Sequence, residues 1–128
     1  MSEAPPKGSI AWVDLTVNDA DSVRDFYKEV VGWDFQGCDM DGGAYQDYNM
    51  MPAGTDQPVA GICHAKGGNE GMPVSWMLYV TVPDMDAALA KCREHGGEVL
   101  LGPKGEQARF CVIKDPAGAV CALWETTG

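Results

Sequence analysis

Apolar and polar residues alternate along Ser9–Val17, with Ala11, Val13, Leu15 and Val17 on one side and Trp12, Asp14 and Thr16 on the other. That period of two predicts a strand covered on one face. After Asn18 the period changes. Val23, Phe26, Val30 and Val31 recur at helical spacing, so the pattern predicts a helix buried through that face. Asp19 stands where an N-cap carboxylate accepts an orphan N–H, and Gly32 follows the last apolar position, where helices often end on positive φ. Apolar runs at 33–36, 44–50 and 58–65 then read as three strands. The same grammar returns from Trp76 to Val82, with Trp76, Leu78, Val80 and Val82 on the covered side and Met77, Tyr79 and Thr81 opposite. Asp84 takes the N-cap place, Met85, Ala88, Leu89 and Cys92 keep helical spacing, and Gly96-Gly97 end the helix. Strands follow at 98–101, 108–114 and 119–125, the last two joined by an Asp115-Pro116-Ala117-Gly118 turn.

The recurrence is a repeat in residue identity too. At an offset of 65, Thr16 meets Thr81, Val17 meets Val82, Asp19 meets Asp84, Asp21 meets Asp86, Glu29 meets Glu94, Gly32 meets Gly97 and Gly37 meets Gly102. The chain therefore reads as βαβββ written twice, an α+β architecture. A flexible lead-in is expected over 1–8 and one domain over 9–128, with a first module at about 9–65, a linker at 66–73 and a second module at about 74–125. A sheet with a helix on one face leaves the other face free. Two such sheets, curled into a barrel-like mixed sheet, would enclose a cleft.

Composition narrows the chemistry. Apolar residues make up 45% and charged residues 22% of the 128, as in an ordinary globular protein, and the formal charge is -10. Such a surface repels phosphate backbones and anionic lipids, so neither nucleic acid nor membrane is an expected partner. Five cysteines, an odd number without a CxxC pair, fit a reducing cytoplasm better than a disulfide framework. No basic-then-apolar start suggests a signal peptide, and no apolar run is long enough to span a bilayer. The residues form no Ser-His-Asp arrangement, phosphate loop or basic aromatic patch.

Val17-Asn18-Asp19 leading to Phe26-Tyr27 and Val31-Gly32-Trp33, and the Asp115–Gly118 turn before Leu123-Trp124-Glu125, carry a family likeness. From about Ser9 to Glu125 the chain resembles the vicinal-oxygen-chelate superfamily, which groups glyoxalases, bleomycin-resistance proteins and extradiol dioxygenases. That fold hosts isomerases, dioxygenases, epimerases, thiol transferases and non-catalytic antibiotic binders, so it does not fix a reaction. The resemblance implies metal-ligand positions near the start of each module's first strand and on its last strand. These fall on Trp12, Gly61, Met77 and Ala122. None of the four suits a divalent ion that wants imidazole or carboxylate, so no metal and no other cofactor is expected. By strand parity His64 and Glu125 turn to the opposite face, and His95 belongs to a helix end.

The expected cleft is lined by Trp12, Asp14, Thr16, Met77, Tyr79 and Trp124, an aromatic and apolar surface with a few polar groups. An acidic group among aromatic rings suits a planar or cationic ligand. Cys63 would share the face of Gly61 as an inert buried thiol. The faces of Tyr45, Tyr48 and Arg109 stay open, Arg109 serving either an anion in the cleft or a surface carboxylate. The leading expectation is a metal-free binder of a small organic molecule, working as a homodimer like the drug-sequestering members of the superfamily. The alternative is a metal-independent isomerase, lyase or transferase with Asp14 or Tyr79 moving a proton. A metal-dependent glyoxalase or dioxygenase is disfavoured by the ligand positions, and an accessory domain with a filled cleft is the remaining reading. No catalytic residue is singled out.

Overall fold

The computed structural model describes residues 5–105 and 109–126. They form two compact units. One runs continuously from Val13 to Trp76, and the other joins the described residues up to Trp12 to those from Met77 onward.

The continuous unit holds most of β1 (Ile10–Val17), α1 (Ala20–Val31), β2 (Asp34–Met40), β3 (Tyr45–Met51) and β4 (Ala60–His64). Its strand order is β2-β3-β4-β1, with β1 parallel to β4 and the other pairs antiparallel. The discontinuous unit repeats this with β5 (Met77–Val82), α2 (Met85–Glu94), β6 (Glu98–Lys104), β7 (Phe110–Lys114) and β8 (Val120–Glu125), in the order β6-β7-β8-β5. Here β5 runs parallel to β8. The βαβββ repeat and the α+β class are thus present. Barrel-like closure is not found within either unit: four strands lie in an open row whose end strands do not pair with each other. Ala108, expected in the seventh strand, lies outside the described residues, as do residues 1–4 of the lead-in.

Local hydrogen-bond chemistry sets the helix ends. Asp19 accepts from the Ser22 N–H and Asp84 from the Ala87 N–H, both at 3.1 Å. Gly32 ends α1 with φ 76°, a conformation a side chain would resist. The Asp115 carboxylate accepts from the N–H groups of Ala117 (2.8 Å) and Ala119 (3.0 Å), which shapes the turn before β8.

The helix faces are where the pattern was half right. In the discontinuous unit Met85 and Leu89 are buried with Val82, Cys111 and Leu123, and Ala88 packs against them as expected. In the continuous unit the core is Leu15, Val17, Ala20, Tyr48, Met50 and Ile62, with Val23, Tyr27, Trp33 and Trp76 against it. Phe26, expected beneath α1, is 56% exposed, and Val30 and Val31 are exposed as well. Of the expected positions only Val23 packs against the core, and the buried face runs through Ala20, Val23, Arg24 and Tyr27. The Arg24 guanidinium lies over the Phe35 ring (4.4 Å) and the Tyr48 ring (4.7 Å), and the Trp76 indole donates to the Tyr27 hydroxyl at 3.0 Å. Amphipathic side chains cover this core with their bodies while their polar tips find partners. A count of purely apolar positions therefore chose the wrong stripe. Trp76, expected under α2, belongs to this α1 cluster, and Leu78 is 40% exposed rather than covered.

Where it is described, the lead-in hydrogen-bonds to Thr81. Gly8 donates its N–H to the Thr81 carbonyl (2.8 Å), Ser9 its N–H to Thr81 Oγ1 (3.0 Å), and that hydroxyl donates to the Pro6 carbonyl (2.9 Å). Thr81, fully buried, is taken up by these bonds and offers no polar group to a ligand. The segment expected as a linker contains a short 3-10 turn at Gly67–Asn69.

Candidate functional site

Each sheet has one face under its helix and one face without a helix. In the continuous unit Leu15 and Val17 lie under α1, so Asp14 and Thr16 point the other way. Register places Asp14 beside Gly61 and Thr16 beside Cys63. Thr16 is 3% exposed and Asp14 is half-buried. The Cys63 thiol sits 3.6 Å from both Asp14 carboxylate oxygens. Burial first, and then the Asp14 and Asp47 carboxylates, push this thiol far above its ordinary value. It is therefore held as a neutral donor to Asp14 and is no nucleophile.

Asp47 escaped the sequence reading. It is 7% exposed, and its carboxylate accepts the His64 N–H at 2.8 Å while flanking Cys63. Its signal was hidden because the faces of the 44–50 strand could not be ordered by parity: Gln46, Tyr48 and Asn49 are all polar or amphipathic. Tyr48, left open above, faces α1, where its hydroxyl donates to Asp21 at 2.5 Å. That bond is the main reason the Asp21 carboxyl lies below its ordinary range, and burial first and then Asp21 raise the Tyr48 hydroxyl.

The other unit supplies the aromatic positions. Val80, Val82 and Leu123 pack towards α2, which leaves Met77, Tyr79, Ala122 and Trp124 on the helix-free side. Tyr79 pairs with Ala122 across the strands, and Thr81 with Trp124. The Tyr79 ring lies 6.3 Å from that of Phe110, which pairs with Trp124. Met77 and Ala122 are buried, whereas Trp124 is 37% exposed. Trp12 is half-buried and belongs to this unit. The six expected residues thus divide as Asp14 and Thr16 on one helix-free face, Met77, Tyr79 and Trp124 on the other, and Trp12 at the point where β1 leaves one unit for the other.

A divalent metal does not fit the side chains at the family's ligand positions. Gly61 and Ala122 carry no donor, and their cross-strand neighbours Asp14 and Tyr79 add a single carboxylate. Among the described residues no three His, Cys, Asp or Glu side chains group as a metal site. Two nearby candidates are committed elsewhere. His64 pairs with Val17 and turns its Nε2 towards Asp21 on α1 (3.5 Å). Glu125 pairs with Val82, accepts the Met85 N–H at the start of α2 (2.7 Å) and binds Arg109 through two contacts of 2.9 and 3.1 Å. Arg109 thereby takes the surface-carboxylate role, and its hydrogen bond, ahead of the Met85 N–H, holds the Glu125 carboxyl low. No helix among the described residues is long and apolar enough to cross a membrane.

Comparison with known proteins agrees with this architecture. Residues 9–123 match the model of the Glyoxalase/Bleomycin resistance protein/Dioxygenase superfamily. The "Putative glyoxylase CFP32" of Mycobacterium tuberculosis is 32% identical over 121 residues, covering 93% of this chain and 46% of that protein. The anthracycline biosynthesis protein DnrV of Streptomyces peucetius is 31% identical, over 91% of this chain and 46% of that protein. The chain thus spans about half the length of these curated relatives. Among solved structures, a methylmalonyl-CoA epimerase superposes with a TM-score of 0.54 at 19% identity, covering 98% of this chain and 100% of the other. The hypothetical protein BH1468 of Bacillus halodurans superposes at 0.60 with 9% identity, covering 96% and 97%, and likenesses at this level speak for the fold alone. A family match over nearly the whole chain, joined to the duplicated βαβββ topology, makes this protein a member of the glyoxalase/bleomycin-resistance/dioxygenase superfamily.

Proposed function

We propose that this protein binds a small planar organic molecule on the helix-free faces of its sheets, without a metal. The observation that carries the reading is the make-up of those faces. One presents a half-buried carboxylate, Asp14, with a neutral thiol donating to it. The other presents Tyr79, Phe110 and a partly exposed Trp124 beside buried Met77 and Ala122. Aromatic rings give stacking area, and a fixed negative charge favours a cationic group on the ligand. Trp12, Asp14, Tyr79 and Trp124 are assigned to ligand contact, with Thr16 and Met77 buried within the same faces. The name of DnrV, a protein of anthracycline biosynthesis, supports a planar polycyclic ligand class.

Binding is read by fluorescence quenching with a planar cationic probe such as ethidium and an uncharged planar control. Asp14→Asn should weaken ethidium about tenfold, equivalent to roughly 1.4 kcal/mol, and leave the control unchanged. Equal loss for both probes, or quenching that survives substitution of both Trp12 and Trp124, overturns the assignment.

The working unit is proposed to be a homodimer. Phe26, Val30, Val31 and Val74 are 53–76% exposed, an apolar stretch that a second copy would cover. The double length of the curated relatives supports pairing with a second module. Light scattering should give twice the chain mass at micromolar concentration, and Phe26→Asp should return it to the single mass. A single mass for the unaltered chain refutes the pairing.

A further inference from the structure

One row of residues on the helix-free face of the continuous unit has a gap at its centre. Tyr48 and Met50 belong to the core beneath α1, so strand alternation turns Asp47 and Asn49 to the opposite face. Register places Asn49 on β3 beside Gly61 on β4, and Gly61 beside Asp14 on β1. Asn49, Gly61 and Asp14 thus form a row across three strands, and its middle member has no side chain. The carboxamide and the carboxylate stand two strand spacings apart, about 9.5 Å at the backbone. Both flanking residues are half-buried.

The two sides of the gap offer the same kind of group. Asn49 Nδ2 donates to the Cys38 sulfur at 3.5 Å, and Cys38 lies on β2. A planar carboxamide with its nitrogen on the β2 side carries Oδ1 on the side of Gly61. Across the gap an ionised Asp14 has only acceptors. The Cys63 thiol gives it a single proton, and a carboxylate has about four acceptor sites, so capacity for a ligand remains. Two acceptors therefore face each other across Gly61.

Charge around the gap is one-sided as well. Cys63 follows Gly61 on the same face, and burial first, then Asp14 and Asp47, keep the proton on its thiol. Asp47 is thus a second carboxylate beside the row. At 7% exposure its negative potential is little screened by salt.

From these observations we infer that the Asn49–Gly61–Asp14 gap selects an amidinium or guanidinium group, a flat cation with N–H donors on two edges. Hydrogen bonds of about 2.9 Å to each side leave width for one such group. This selection presupposes that the helix-free faces bind a ligand, as proposed above, and specifies the polar group that the ligand presents to the continuous unit. Asn49 is the added specificity residue. It carries no charge, so its contribution separates recognition of N–H donors from simple attraction to Asp14.

Benzamidine and phenyltrimethylammonium are both aromatic monocations, and only the first has N–H donors. Each is titrated into the full chain beside ethidium, and binding is followed by amide chemical shifts. Benzamidine is expected to bind about tenfold more tightly than phenyltrimethylammonium, with shifts at Asp14, Asn49 and Gly61. Asn49→Ala should remove most of that advantage and leave phenyltrimethylammonium within about twofold. Asn49→Asp keeps an acceptor oxygen in place and should tighten benzamidine more than phenyltrimethylammonium; it decides alone if the alanine variant fails to fold. Equal affinities of the two probes for the unaltered chain, or equal effects of the Asn49 substitutions on both, overturn the inference. If ethidium then still binds in an Asp14-dependent way, the broader reading of the helix-free faces stands. If no aromatic cation binds, that reading falls and the inference with it.

Discussion

Phe26 and Ile62 make a matched pair for testing how α1 is seated. Ile62 is fully buried among Leu15, Tyr48 and Met50. Its truncation to alanine leaves a cavity, and such changes cost about 2–5 kcal/mol. Phe26 is 56% exposed, so less than half of its burial, worth about 1.5–3 kcal/mol when complete, is at stake. Its edge-on contact with Tyr27, at 5.0 Å, adds about 0.5–1.5 kcal/mol, offset by roughly 0.5 kcal/mol from the better helix propensity of alanine. Phe26→Ala should therefore cost about 1 kcal/mol, against the 3–5 kcal/mol expected for a buried ring. Urea unfolding at a concentration that holds the chain in single copies gives the comparison. With a slope near 1.5 kcal/mol/M, Ile62→Ala should lower the midpoint by more than about 1.3 M and Phe26→Ala by less than about 1 M. Equal midpoint losses at an unchanged slope would show that Phe26 packs beneath α1 after all.

Further outcomes follow from the site and its surroundings. Protein purified without chelator should carry no stoichiometric Ni, Zn, Mn or Fe, as read by plasma mass spectrometry. Ligand binding should survive EDTA, and tightly held metal required for binding refutes the metal-free reading. Acid should destabilise the chain in part through Glu125. Its folded pKa is depressed from the ordinary 4.5, so its contribution is present above that value and lost as pH falls through the lower folded one. Glu125→Gln should accordingly flatten the fall in Tm below about pH 4.5, and an unchanged pH profile would contradict the Arg109–Glu125 assignment.

What could be read from sequence was local. Asp19, Asp84, Gly32 and the Asp115 turn act on N–H groups within a few residues, so their chemistry is visible in a short window. The α1 face was not, because Arg24 and Tyr27 bury their bodies without counting as apolar. Arg109 became legible only when β7 and β8 set it beside Glu125. The Asp14–Cys63 contact likewise depends on the parallel register of β1 and β4, between residues 49 positions apart. Parity along β1 and β5 did order the helix-free faces, since Leu15, Val17, Val80 and Val82 all turned to their helices.

The bonds from Pro6, Gly8 and Ser9 to Thr81 bear on how the chain acquires its structure. Residues 13–76 form one continuous compact unit, whereas the other unit takes hydrogen bonds from a segment more than 70 positions earlier. During synthesis residues 5–12 emerge before residues 13–76 and find their partner after them. The continuous unit can fold while they wait, and the loop they finally close is already shortened by a folded insert. A break between residues 66 and 73, which the repeat in sequence invites, would not yield two autonomous halves. It would take Trp76 from the core of the one and the segment that caps Thr81 from the other.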